Sequence, residues 1–224
     1  MTSSHLGSVA WPEVAAVAAS SLLVVPVGST EQHGPHLSFT TDTDVAGALA
    51  ARLALVRDDV VVAPALPYGS SGEHAGFPGS LSIGARVLEE VLVELARSAD
   101  AFAGVVLVSG HGGNAAPLRA AVARLREEGR RVLAWSPSVP GGDAHAGRTE
   151  TSLVLALGGG LVGEPVAGNV SSLRSLMPAM QAGGVASVSA NGVLGDPAGA
   201  SASEGAALLD RLTADLAAAV EAWA

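Results

Sequence analysis

The chain contains no cysteine and no lysine, and aromatic residues make up only 3% of it. Without cysteine there is no disulfide, no thiolate metal site and no sulfur nucleophile. All twelve basic residues are arginine, set against 21 acidic ones, for a formal net charge of -9. An acidic chain without a basic cluster argues against nucleic acid or an anionic membrane surface as partner. So few rings also argue against a base-stacking surface. The apolar stretch VAAVAASSLLVVPV is too short to span a bilayer and is interrupted by Ser20, Ser21 and Pro26. No basic residue precedes Arg52, so the positive flank of a secretory signal is missing. The stretch reads as a short helix followed by a buried strand, and the expectation is a soluble, cytoplasmic protein with no membrane partner. There is no G-x-S-x-G elbow, which removes lipase-like hydrolases despite the HGG at His111 to Gly113. No lysine follows that glycine-rich turn, which argues against a Walker-type phosphate loop.

What is present is an apolar chain of 224 residues, 49% hydrophobic, a length suited to one α/β domain spanning 1–224. Short apolar runs at Leu22–Val27, Val60–Ala63, Val105–Val108 and Val132–Trp135 predict four buried strands. Helical spacing predicts helices over Val45–Val56, Ala85–Ala101, around Leu118 to Leu125, from near Thr149, and at the C-terminus through Leu209, Leu212, Leu216 and Val220. Helices alternating with buried strands indicate a largely parallel sheet. The Gly-, Ser- and Ala-rich region 158–202 has no clean period and is expected to hold short strands and loops. No internal repeat, coiled coil or interdomain linker is present.

Ionisable residues gather where the predicted strands end. VGSTEQHGPHLSFTTDTD presents Glu31, His33, His36, Asp42 and Asp44 after the first strand. If that strand continues to His33, Glu31 and His33 share a side and Gln32 points away. Such a carboxylate–imidazole pair can serve adjacent metal ions, and Asp42 can bridge them; an O/N donor set suits Zn²⁺, Fe²⁺ or Mn²⁺. Asp44 reads more simply as a carboxylate complementing a helix start. SGHGGN follows the third strand, with His111 a candidate ligand and Gly112 and Asn114 candidates for contacting substrate. DAHAGRTETS follows the fourth: Asp143 is a substrate-contact candidate, His145 a proton-transfer group, Thr149 a cap, and Glu150 either a ligand or a dipole partner. The loop GSSGEHAGFPG adds Ser71, Glu73 and His74, which could orient substrate, support the ligand imidazoles or hold the loop. Glu31, His33, Asp42, His111 and Glu150 together form a five-ligand dinuclear inventory.

GSTEQHGPHL with Asp42, EHAGFPGS, SGHGGN and HAGRTETS, in this order from Gly28 to Ser152, resemble the creatininase (creatinine amidohydrolase) superfamily. Details around PVGSTEQHGPHL and DAHAGRTETSLVLAL are similar to its mycofactocin-system branch. The resemblance implies a three-layer α/β/α sandwich and a hydrolase of C–N bonds using two divalent metal ions. It implies that Glu31 and His111 hold one metal and His33 the other, with Asp42 bridging. Creatininase proper completes the second site with a glutamate two residues after the GH histidine. This sequence has Gly113 there, so Glu150 must supply the ligand, which argues against creatinine as substrate. Catalysis would fall to His145, with Glu73 as partner. The branch further implies a homo-oligomer, hexameric or larger, Fe²⁺ or Zn²⁺ as the metal, and a modified precursor peptide as substrate. That peptide would be cut near its C-terminus to release a Val-Tyr-derived aminopyrrolidinone unit. Two alternatives stay open: a family hydrolase acting on a cyclic amide, lactone or formamide, and a non-catalytic metal or small-molecule binder.

Overall fold

The computed structural model describes residues 5–223. In chain order its main elements are α1 (Trp11–Ala15), β1 (Leu22–Val27), α2 (Thr41–Val56), β2 (Val60–Val62), α3 (Ala85–Ser98), β3 (Gly104–Ser109), α4 (Ala115–Glu127), β4 (Val132–Trp135), α5 (Arg148–Ala156), α6 (Leu173–Gly183) and α7 (Ala202–Trp223). The four strands pair in parallel in the order β2-β1-β3-β4. β1 and β3 are buried along their whole length, as continuous Val/Leu runs between two helical layers must be.

The period-two alternation of the strands assigns the helices to their layers. Leu23, Val25 and Val27 of β1 with Val105 and Leu107 of β3 face Leu88, Leu92 and Val93 of α3 and Leu118, Ala121 and Leu125 of α4. Leu22 and Val24 with Val106 and Val108 face the opposite way, onto Leu49 and Leu53 of α2, Leu153 of α5, and Leu209, Leu212, Leu216 and Val220 of α7. Each fully buried leucine stabilises the fold by roughly 1.5–3 kcal/mol before entropy is counted. Pro26 sits in a central strand, normally a poor place for a residue without an N–H. The neighbouring N–H groups of Leu22 and Gly28 donate toward the β2 side, to Asp59 and Leu66. The missing donor of Pro26 falls on that side too, beyond the end of β2, so no ladder bond is lost.

The chain passes from β1 outward to β2 and then returns to the other side of β1 as β3. The gap above β1 and β3 is therefore a topological switch point, where open parallel sheets bind ligands. Two boundaries differ from the sequence pattern. Helix α2 begins at Thr41 rather than Val45, held by Thr41 Oγ1 donating to the Ser38 carbonyl at 2.8 Å and Thr40 Oγ1 donating to Asp44 at 2.7 Å. Asp42 consequently lies in the first turn of a helix, and Asp44, exposed beside it, plays the dipole-complementing part. The second difference lies in 158–202. In place of short strands, this region contains α6 and a 3-10 turn at Val185–Ser187, and no strand among the described residues. Pro178 inside α6 and the following Gly183 and Gly184 carry helix-breaking signals, which masked a helix capped at Ser172. No helix among the described residues is long and apolar enough to cross a membrane.

Candidate metal centre

β1 ends at Val27, four residues before Glu31, so the shared side of Glu31 and His33 does not come from strand alternation. The connection from Gly28 to Thr40 instead folds back over the strand ends, and Glu31, Gln32, His33 and His36 are all buried. Three side-chain sets offer donor atoms within 4.8 Å of one another: Glu31, Asp42 and His111; His33, Asp42 and Glu150; Glu31, His33 and His145. The five ligands expected from sequence thus come together, with Asp42 common to the first two sets. Gly110 makes this convergence possible. A Cβ there would lie 2.2 Å from the Asp42 carbonyl oxygen, so only glycine lets the end of β3 meet the start of α2.

Carboxylates and imidazoles of the cluster perturb one another strongly. His33 Nδ1 donates to the Glu31 carbonyl at 3.1 Å, leaving Nε2 3.2 Å from Asp42 Oδ1 and 4.0 Å from Glu150 Oε2. Burial alone would lower the His33 imidazole, but Asp42, Glu150 and Glu31 push it up to about 10. His111 Nε2 donates to the Ser70 carbonyl at 3.1 Å, while its Nδ1 stands 3.4 Å from Asp42 Oδ2. Burial opposes the charge on His111 as well, yet Glu31, Glu73 and Asp42 raise it well above the ordinary imidazole value. Desolvation would raise the Glu31 carboxyl, but His111, His74 and His145 hold it well below the usual carboxylate range. Ser29 Oγ lies 2.7 Å from Glu31 Oε2 and 2.9 Å from Asp42 Oδ2, and its single proton can serve only one of them. Glu31 Oε1 is buried with no aligned hydrogen bond, although His74 Nε2 is 3.2 Å away. Buried carboxylates left short of donors, beside imidazoles whose second nitrogen is fixed on a carbonyl, fit divalent metal ions. A cation bound here would displace imidazole protons, because a ligand nitrogen must be bare.

A cavity of about 350 Å³ opens beside the cluster. Asp42, Glu73, His74, His111, His145 and Glu150 line its polar side. Leu173, Met177 and Met180 of α6, with Val185 and Leu194, line the apolar side. Sequence reasoning did not find the α6 residues, because their helix was not recognised. His145 is buried; its Nδ1 is 3.9 Å from both Glu31 Oε1 and Glu150 Oε2. Burial, and then His33, lower its affinity for a proton. Burial likewise brings His74 down to about 4 against the pull of Glu31. Glu73 Oε1 lies 3.4 Å from His111 Nε2 and fills the space a side chain at 113 would need, since a Cβ on Gly113 would meet it at 2.3 Å. Exposed Gly112 lies at the cavity mouth.

Other expected residues brace the site. Asn114 Oδ1 accepts from Ser70 N at 2.9 Å and its Nδ2 donates to the Gly28 carbonyl at 3.0 Å, which ties the loop to the end of β1. Both ends of the Asn114 amide are thus engaged in joining the two loops. Asp143 accepts from the backbone N–H groups of Arg148 and Thr149, so Asp143 and not Thr149 caps α5. Ser71 Oγ is buried without a hydrogen-bond partner and does not line the cavity. His36 stands apart from the three donor sets, its Nε2 3.0 Å from Thr151 Oγ1. Gln32, expected to point away, is buried and reaches both His74 and His145.

Comparison with known proteins agrees with this geometry. The profile of the creatininase family (creatinine amidohydrolase) matches residues 7–220. A mycofactocin precursor peptide peptidase of Mycolicibacterium smegmatis is 50% identical over 211 residues, covering 90% of this chain and 85% of that protein. The Mycobacterium tuberculosis protein of the same name is 46% identical over 217 residues, covering 91% and 86%. Among solved structures, a creatininase variant complexed with creatine superposes with a TM-score of 0.83 at 26% identity, covering 99% of both chains. Creatininases described as Zn-Zn type and Mn superpose with TM-scores of 0.78 and 0.79 at 25% and 26% identity, each covering 97% of both chains. A parallel sheet with its ionisable residues at the switch point and a family profile spanning nearly the whole chain lead to one assignment: the chain belongs to the creatininase family and is a hydrolase of amide bonds.

Proposed function

We propose that the chain is a dinuclear metal-dependent peptidase that cleaves the modified mycofactocin precursor peptide near its C-terminus, releasing the Val-Tyr-derived aminopyrrolidinone unit. The observation that carries this reading is the convergence of Glu31, His33, Asp42, His111 and Glu150 beside a cavity with one apolar wall. The names of the relatives supply the substrate. Glu31, Asp42 and His111 would hold one divalent ion, Fe²⁺, Zn²⁺ or Mn²⁺, and His33, Asp42 and Glu150 the other. When bound, such ions supply Lewis acidity toward the scissile carbonyl and a water nucleophile usable at neutral pH.

The chain's own residues do the rest. His145 offers Nδ1 toward the centre. It takes a proton there and returns it to the departing amide nitrogen. Leu173, Met177 and Met180 exclude water from one side of the cavity and seat the apolar part of the substrate. The working protein is a homo-oligomer, which sedimentation of the purified chain tests directly.

The deciding experiment incubates metal-loaded and chelated protein with the modified precursor peptide and with small cyclic amides, and reads products by mass spectrometry. The expected result is cleavage of the peptide alone, lost on chelation and restored by added Fe²⁺ or Zn²⁺. Turnover indifferent to chelation, or confined to the cyclic amides, refutes the reading. Bound metal without any turnover leaves a binding protein instead.

A further inference from the structure

Gln32, between the two candidate ligands of the EQH motif, contributes no atom to the donor sets, yet it lies against both His74 and His145. Its amide orientation is fixed by backbone groups of opposite kind. Oε1 accepts from Gly34 N at 2.7 Å, and Nε2 donates to the Gly192 carbonyl at 3.1 Å. A flipped amide would set donor against donor and acceptor against acceptor. The second hydrogen on Nε2 is then directed at His74 Nδ1, 2.9 Å away. That nitrogen must be bare, so the His74 proton resides on Nε2, on the side of Glu31 Oε1. The Gln32 main chain acts on His145 in the same sense. The carbonyl oxygen lies 2.8 Å from His145 Nε2 and can only accept, so the His145 proton is on Nε2 as well. The 3.2 Å approach of Gln32 Nε2 to His145 Nε2 brings two donors together and is no hydrogen bond, because both amide hydrogens are already placed. Gly192 is required for this packing: a Cβ there would lie 1.9 Å from Gln32 Oε1.

We propose that Gln32 is a positioning residue that fixes the tautomers of both cavity histidines, so that His74 carries its proton on Nε2, the nitrogen nearer Glu31, while His145 turns a bare Nδ1 toward the carboxylate cluster. The two imidazoles, with centroids 4.6 Å apart, thereby take opposite parts, one a donor and the other an acceptor. The inference deepens the proposed function only in its kinetic consequence; the proton positions stand without it.

The test is long-range ¹H–¹⁵N NMR of the Zn²⁺-loaded, ¹⁵N-histidine-labelled protein, with resonances assigned by single histidine substitutions. Wild type is expected to show His74 and His145 both protonated at Nε2. Gln32→Glu replaces the donating amide group by oxygen but keeps the backbone carbonyl. His74 should move its proton to Nδ1 while His145 does not change. A merely disrupted loop would alter both. With the precursor peptide, kcat should fall about 10–100-fold, the usual effect of losing an orienting partner, with KM little changed. A wild-type His74 protonated at Nδ1 overturns the inference even if the variant does not fold. So does a folded Gln32→Glu protein whose His74 keeps its proton on Nε2. If wild type shows the expected tautomers but cleaves no peptide, the proposed function fails and this inference survives.

Discussion

Replacing Gly110 by alanine tests whether the meeting of β3 and α2 creates the centre. The added Cβ would lie 2.2 Å from the Asp42 carbonyl oxygen and 2.9 Å from the carbonyl carbon, both backbone atoms of a helix start. No flexible side chain can yield, so α2 must retreat by roughly 1 Å, a strain of about 1–3 kcal/mol. At about 2–4 °C per kcal/mol for a chain of this size, Tm should fall by about 2–12 °C. The same retreat carries Asp42 away from His111, and a displacement of that size can cost about 10²-fold in rate. Gly47→Ala is the matched control, since it lies within α2 with nothing near its missing Cβ. It should stabilise the protein by about 0.5–1 kcal/mol through helix propensity alone. Neither glycine has a positive φ, so conformational strain does not enter the comparison. Calorimetry and cation titration of both variants decide the matter. A Gly110→Ala protein as stable as the Gly47→Ala protein, with unchanged cation affinity, would refute the reasoning.

Removing the metal should lower Tm, because a ligand at a hundred times its Kd stabilises by about 2.7 kcal/mol; a melting curve insensitive to chelator contradicts the centre. Met180→Asp should lower kcat/KM on the precursor peptide by at least about tenfold while bound metal, measured by mass spectrometry, stays the same. Leu216→Ala, at a fully buried position of α7, should cost about 2–5 kcal/mol in urea unfolding without altering cation affinity. The Asp59 carboxyl is held below its ordinary value by the Arg57 guanidinium. Its contribution to stability is therefore present above the unfolded-state value near about 4 and lost as pH falls through the folded one. The stability difference between wild type and Asp59→Asn should accordingly be largest near neutrality and vanish in acid.

The sequence carried the fold where its periods were clean. Leu209, Leu212, Leu216 and Val220 announced α7, and four apolar runs announced the strands, because burial on both faces demands such runs. Asp42 and His111 were legible as candidate ligands from residue type and their place after strands. The gathering itself depended on tertiary contact, as the 2.2 Å constraint at Gly110 shows. Helix α6 was hidden by Pro178, and with it Met177 and Met180 of the cavity wall. Gln32 was misplaced because extended alternation was assumed beyond Val27, whereas the chain there turns back on itself. The vacancy at Gly113 showed a missing side chain but could not show that Glu73, forty residues earlier, occupies its space.

Five of the six histidines, at positions 33, 36, 74, 111 and 145, are buried around the strand ends, and only His5 lies elsewhere. Isotope placed in this one residue type therefore illuminates the centre and almost nothing else. Since there is no thiolate to compete for the ion or colour its spectrum, cobalt(II) put into this protein would report on oxygen and nitrogen ligands alone.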